Sequence, residues 1–245
     1  METTLIAAIF VLAVAGIAVG TTGFGFALIA VPPLLLLYPP QTVVVLIFSA
    51  SLLPSVLVVA NAWRETDLRL VALLLPGALL GLLLGAQVLQ LADATVLKLI
   101  AGVCVAIYAL LMWRGYRMPA LDGPWAASVA GVASGSLGSA IGLTGPPIII
   151  LFTARQLARD VVRGTIATYF IATDLIGLAI LFAGGAIGAE EGRLTLLLTL
   201  PAAIGVLVGN RLAHHLSAQT FQKLTLLLLL GTGVMGMTTA IIALW

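Results

Sequence analysis

Two stretches of this chain hold residues suited to gripping a small anion. One is Gly20-Thr-Thr-Gly-Phe-Gly25. The other runs from Gly135 through Ser136, Gly138, Ser139 and Gly142 to Thr144 and Gly145. Each leads into an aliphatic run with a Pro-Pro pair, Pro32-Pro33 or Pro146-Pro147. A helix interrupted at such a turn leaves unpaired N–H groups at the start of the next segment, at the positive end of its dipole. Both features favour an anion. Glycine allows close backbone approach and positive φ. The hydroxyls of Thr21, Thr22, Ser134, Ser136, Ser139 and Thr144 add donors. Proline in the first turn of a helix forfeits no hydrogen bond. The expected substrate site is therefore Thr21, Thr22, Gly23, Phe24 and Gly25 with Ser136, Gly138, Ser139, Gly142, Thr144 and Gly145, and the expected ligand is a small oxyanion held by neutral donors. Close helix packing through small-x3-small faces competes for Gly16/Gly20 and Gly131/Gly135. It is the expected role of Gly81/Gly85 and Gly205/Gly209.

Charged chemistry is sparse. Asp174 is the one carboxylate placed well inside an apolar run, Gly164–Ala183. Intramembrane carboxylates are expensive and functional by default. Proton coupling is the sharper expectation for it; a structural carboxyl capped by Thr173 or Thr168 is the plainer one. Arg163, at the inner end of the same run, serves either as an anchor at the membrane face or as a cytoplasmic gate or substrate-attracting residue. No catalytic centre is expected. Gly135-Ser136 and Gly138-Ser139 lack an embedded base, since His214 and His215 sit together in a loop; a nucleophile needs such a base within reach. The same two histidines have too few neighbours for a metal site. The single Cys104 excludes a disulfide framework, and no Gly-x4-Gly-Lys-Ser/Thr loop is present for nucleotide. The chain reads as a non-enzyme with no cofactor and no metal.

The elements that carry these residues follow from composition. Of 245 residues, 62% are hydrophobic and 8% charged, and mean hydropathy is +1.22. A soluble domain carries about 25% charged residues, and disorder requires low hydrophobicity. A membrane barrel would alternate apolar and polar residues, whereas these runs are continuous. The fold class is an all-α polytopic membrane protein. The expected segments are Thr4–Thr21, Phe24–Leu37, Gln41–Ala60, Leu68–Leu89, Thr95–Trp113, Pro124–Ala140, Pro146–Thr153, Gly164–Ala183, Leu194–Asn210 and Thr220–Leu244. Most are long enough to span a bilayer. Phe24–Leu37, broken by Pro32-Pro33, and the run after Gly145 are short. The N-terminal segment lacks a basic n-region and reads as a retained membrane helix.

The two short places are related. GIAVGTTGFGFALIAVPPLLLL aligns with GVASGSLGSAIGLTGPPIIILF. Phe48-Ser-Ala-Ser51 then matches Phe170-Ile-Ala-Thr173, which puts Leu52 opposite Asp174. Leu75-Pro76 with Gly81 and Gly85 matches Leu200-Pro201 with Gly205 and Gly209, and Lys98 matches Lys223. The chain is a duplication, with a first repeat over 1–122 and a second over 123–245, together one transmembrane domain. Basic residues favour cytoplasmic loops. Arg64/Arg69, Arg114/Arg117, Arg155/Arg159/Arg163 and Arg211 mark one side; Tyr38–Gln41, Gln90–Asp93 and Gly184–Glu191 mark the other. Equivalent loops of the two repeats carry opposite bias, so the repeats run in inverted directions and both termini are extracytoplasmic. Each repeat holds a Gly/Pro-broken short helix or a re-entrant hairpin; either choice preserves this sidedness. Trp63, Trp113, Trp125 and Trp245 fall at span ends, as an aromatic belt requires.

Inverted repeats with discontinuous helices are the design of secondary transporters. The paired motifs GTTGFGFALIAVPPLL and SGSLGSAIGLTGPPII, at equivalent points of a duplicated hydrophobic chain, resemble the TauE/SafE sulfite-exporter family of membrane permeases over essentially the whole chain. The resemblance implies a bacterial or archaeal cytoplasmic-membrane carrier of sulfite, sulfoacetate or another organosulfonate, and the inverted repeats imply that it works by alternating access. A passive anion channel built on the same motifs is the alternative, and a non-transporting scaffold a weaker one. The expected partners are a small anionic substrate and the lipid bilayer, with no nucleic acid; a homodimer is left open.

Overall fold

The computed structural model describes residues 2–114 and 123–212. Among them lie nine α-helices, one 3-10 turn and no strand: α1 (Glu2–Thr22), α2 (Phe26–Leu37), α3 (Pro40–Ala62), the turn Trp63–Glu65, α4 (Leu68–Leu91), α5 (Ala94–Trp113), α6 (Pro124–Ile141), α7 (Gly145–Ala154), α8 (Arg159–Ala183) and α9 (Ala189–Leu212). Continuous apolar runs leave helix as the one way to pair every backbone group inside lipid without a sheet partner. Six helices, α1, α3, α4, α5, α8 and α9, are long and apolar enough to cross a membrane. α6 has comparable length but is diluted by Gly and Ser, and it lies along α4. α2 and α7 are short and fold back as the returning arms of hairpins with α1 and α6. The expected segment Thr220–Leu244, with Lys223, and the residues Arg117, His214, His215 and Trp245 lie outside the described residues.

Two glycine-lined seams hold the helices together. Along one, Gly16 and Gly20 of α1 meet backbone at Ala202 and Val206 of α9, and Gly205 and Gly209 return the contact at Ala13 and Ile17. Along the other, Gly131 and Gly135 of α6 meet Leu74 and Ala78 of α4, while Gly77, Gly81 and Gly85 meet Ser128, Val132 and Ser136. A Cβ at any of these glycines would overlap a carbonyl of the facing helix. Such small-residue faces let helix backbones approach closely in the membrane. Both pairs run parallel. α3 and α8 instead cross the centre antiparallel: Ala62 lies by Gly164 and Phe48 by Gly177.

Side-chain contacts sort the connections onto two ends. At one, Asp67 N–H donates to Thr165 Oγ1 (2.9 Å), Arg155 donates to Gly123 O (2.8 Å) and Arg163 reaches Asn210 (3.5 Å). At the other, Thr42 donates to Glu191 (3.0 Å), Gly184 lies beside Gln90, and Arg193 pairs with Glu190 (3.5 Å). Arg64, Arg69, Arg155 and Arg163 thus gather at one end, and Glu190 and Glu191 stand at the other.

Two expectations about the breaks need correction. Pro32 and Pro33 do not break the first short helix; both lie inside α2, and the turn falls upstream at Gly23–Gly25. Ser136, Gly138 and Ser139 do not belong to the second turn either, because α6 runs through them to Ile141. α8 also starts before Gly164, which brings Arg163 inside the helix.

Candidate anion site

The first break joins α1 to α2. Gly23 N–H still donates to Val19 O (2.7 Å), and the chain then turns through Gly23 (φ 86°) and Gly25 (φ 96°), a region nearly closed to residues with a Cβ. Phe24 N–H donates to Thr22 Oγ1 (3.2 Å). No side chain caps α2. Its first intrahelical bond runs from Ile29 N–H to Gly25 O (3.2 Å), so the N–H groups of Gly25, Phe26, Ala27 and Leu28 have no acceptor within the helix. Gly25 is buried, yet the space beside its Cα is open. Arg163 of α8 lies across this turn. Its stem packs on Gly23, and its Nη2 reaches Gly20 O and Asn210 Oδ1, each at 3.5 Å. Arg163 therefore packs on Gly23, two residues ahead of the open space at Gly25 and the uncapped start of α2.

The second break joins α6 to α7. Gly142 (φ 78°) closes α6: its N–H donates to Gly138 O (2.8 Å), and Leu143 N–H donates to Leu137 O (3.2 Å), a Schellman-type ending. Thr144 precedes α7 without a side-chain cap. Pro146 and Pro147 have no N–H, so Thr144 and Gly145 alone present orphan donors here. Ser134 Oγ donates to Thr144 O (2.6 Å), and the Tyr169 hydroxyl donates to Ser134 Oγ (2.9 Å). Phe170 lies against Gly145. Ser139 is fully buried, and its hydroxyl has no partner among the described residues.

The two breaks do not meet at one level. α8 touches both, at Arg163 and at Tyr169-Phe170, and Arg163 and Phe170 are roughly 10 Å apart along the helix. α2 gives an independent ruler: Gly142 abuts Val31, which lies roughly 9 Å along α2 from Gly25. The breaks are stepped across the molecule by about that distance.

The structure gathers the expected residues unevenly. Thr22, Gly23, Phe24 and Gly25 form the first turn beside Arg163; Gly142, Thr144 and Gly145 form the second. The Thr21 hydroxyl points back to its own helix, donating to Ala18 O at 2.8 Å, the usual habit of such residues in helices, while the Thr22 hydroxyl lies within reach of both Ala18 O (2.8 Å) and Phe24 O (2.7 Å). Ser136 belongs to the α4 seam, and Gly138 faces the Thr144 methyl and the Phe48 ring.

Asp174 is 2% exposed and sits roughly 16 Å along α8 from Arg163. It is capped by neither Thr173 nor Thr168. Thr173 Oγ1 donates to Tyr169 O (3.0 Å), and the Thr168 hydroxyl has no partner among the described residues. Ser51 Oγ of α3 donates to Asp174 Oδ2 instead. No basic side chain forms an ion pair with it among the described residues. Ser51, Tyr169 and Asn210 were not foreseen as site residues. Ser51 had a signal: it matches Thr173 in the internal alignment, and the two matched segments face each other here.

The sulfite exporter TauE/SafE family model matches residues 8–236. The chain belongs to this family. As a TauE/SafE protein it is a membrane transporter and not an enzyme. Two curated relatives are similar to it. A probable inner membrane transporter protein TsaS from Comamonas testosteroni is 26% identical over 181 residues, 70% of this chain and 73% of the relative. A probable sulfite/organosulfonate exporter TauE from Cupriavidus necator is 27% identical over 241 residues, 91% of this chain and 89% of the relative. No solved structure matches.

Proposed function

We propose that this TauE/SafE protein carries a small sulfur-containing anion, sulfite, sulfoacetate or another organosulfonate, across the cytoplasmic membrane by alternating access, with the first break as its anion cradle. The observation that carries the reading is the Arg163 side chain packed on Gly23, in the turn that leads to the uncapped N-terminus of α2. The second break offers fewer donors and no guanidinium, so the anion headgroup belongs at Gly23–Leu28. Arg163 acts there as anchor and gate, opening or covering the turn from the basic end. The names of both relatives agree with transport, and one of them names sulfite and organosulfonate.

The two halves, 1–122 and 123–245, are inverted repeats in this reading. Its support is the matched construction of the seams: α1 with α9, and α6 with α4. The basic end is cytoplasmic, which puts the N-terminus and, by the same alternation, the C-terminus outside. Asp174 is the proton-coupling group. Gaining a proton turns it from an acceptor of the Ser51 hydroxyl into a donor as well, a change α3 and α8 must accommodate at the centre of the molecule.

Counterflow in proteoliposomes tests the reading. Sulfite or a small sulfonate trapped inside should drive saturable exchange of labelled substrate outside; a conductance without saturation or exchange would make this a channel. Arg163→Gln should weaken substrate binding by roughly tenfold to a hundredfold, the usual loss for a charge-assisted hydrogen bond. Unchanged affinity in that variant would remove the first break as the cradle.

A further inference from the structure

A groove of about 340 Å³ lies between α5, α6 and α7, well away from the first break. Cys104, Tyr108 and Leu111 line one wall, Ala133 another, and Pro147 and Leu151 a third. It opens sideways: Trp125 and Val129, at its α6 edge, are 63% and 59% exposed. In a membrane-spanning chain that exposure faces lipid. The groove also has a direction. Leu111, Trp125 and Leu151 stand toward the basic end, where α5 and α7 finish and α6 begins; Cys104 and Pro147 stand deep. From Trp125 to Leu137, the lining follows roughly 18 Å of helix, enough to take the length of a lipid tail in one leaflet of a bilayer about 30 Å thick.

Arginines follow the lining at the basic end. Arg114 follows Leu111 by one helical turn at the exposed end of α5. Arg155 follows Leu151 in the same way and donates to Gly123 O (2.8 Å), just ahead of Trp125. An exposed arginine one turn past the α5 lining and an exposed tryptophan on α6 therefore border the basic end of this apolar strip. A slot of this form suits an apolar tail below a negative headgroup.

We propose that this groove is a binding site for one acyl chain of an anionic phospholipid, drawn from the leaflet at the basic end, with the phosphate held at Arg114. The site is separate from the anion cradle and stands or falls independently of what is transported. Its occupant lies against α7, the arm that carries the second break.

Native mass spectrometry of the full chain, released from mild detergent after incubation with phosphatidylglycerol or phosphatidylcholine, tests it. The parent should retain phosphatidylglycerol preferentially. Ala133→Phe, which fills the groove midway, should lower retained lipid about tenfold, since each buried methylene contributes to tail affinity. Arg114→Gln, at an exposed helix end where folding is not at issue, should lower phosphatidylglycerol retention about fivefold and leave phosphatidylcholine unchanged. Equal retention of both lipids by the parent, or retention indifferent to both substitutions, overturns the proposal. So does a parent that is dimeric without lipid and becomes monomeric in Ala133→Phe, because a second copy then fills the groove. Counterflow of the transported anion, measured on the same variants, shows that the carrier remains intact.

Discussion

A methyl group at Gly23 meets two obstacles, a φ of 86° and the stem of Arg163. Substitution there strains the turn and displaces the guanidinium together, so Gly23→Val tests fold and binding at once; Arg163→Gln separates them. Asp174 allows a cleaner experiment. Asn keeps its shape and can still accept from Ser51 Oγ, but it cannot exchange a proton. Asp174→Asn should therefore retain counterflow and lose the dependence of net uptake on an imposed pH gradient. A gradient response equal to the parent's would exclude Asp174 as the coupling group. Ser51→Ala removes the hydroxyl that donates to that carboxylate and should shift the pH profile without flattening it. That Ser51 is the partner was hard to read in the sequence, because the two residues are far apart in the chain and nothing local to either announces the other. Local candidates, Thr168 and Thr173, drew attention because helical spacing makes them neighbours, and both are turned elsewhere.

At the scale of elements, glycine does two jobs that spacing alone does not separate. Gly16, Gly20, Gly131 and Gly135 sit inside unbroken helix and let a neighbouring backbone in; Gly23, Gly25 and Gly142 take positive φ and end the helix. The motifs place both kinds in one run. This is why the existence of each helix was legible and the position of each turn was not. In the first motif the helix stops at Thr22; in the second it continues one turn further, to Ile141. Proline misled in the same way. Pro32 and Pro33 are tolerated inside α2, where neighbouring helices can supply what the ladder loses. The seams also shift the internal alignment by a turn: Gly77 and Gly81, not Gly81 and Gly85, make the contacts that Gly205 and Gly209 make. Gly135→Leu should cost about 3 kcal/mol or more, because the facing carbonyl of Ala78 belongs to backbone and cannot move aside. Gly192→Ala, where the space is open, should change little. Thermal unfolding in detergent reads both, and equal midpoints for the two variants would refute the seam.

The whole molecule was the most legible scale, for a physical reason. Apolar runs of about 20 residues admit one secondary structure in lipid, and the distribution of Arg records which connections share a side. The contacts agree with that record: Arg155, Arg163 and Asp67 meet their partners at one end, Thr42 and Glu191 theirs at the other. Sidedness is checked in a Cys104→Ser background. A cysteine at exposed Ala189 should react with membrane-impermeant maleimide in intact cells, and one at exposed Glu65 only after lysis. The opposite pattern would invert the topology. The stepped arrangement of the two breaks was not legible, since depth along a helix depends on how α8 and α2 are tilted into place.

Each glycine seam joins a helix before the 115–122 stretch to one after it. α1 leans on α9 and α6 on α4, so neither half owns the surface that buries its own stripe. Severing the chain between Arg114 and Gly123 would cut no seam, yet either fragment alone would be left with naked grooves on two helices. Such fragments have reason to find each other in the bilayer, and separate synthesis of the two, far from being harmless, would make their relative abundance a matter of quality control.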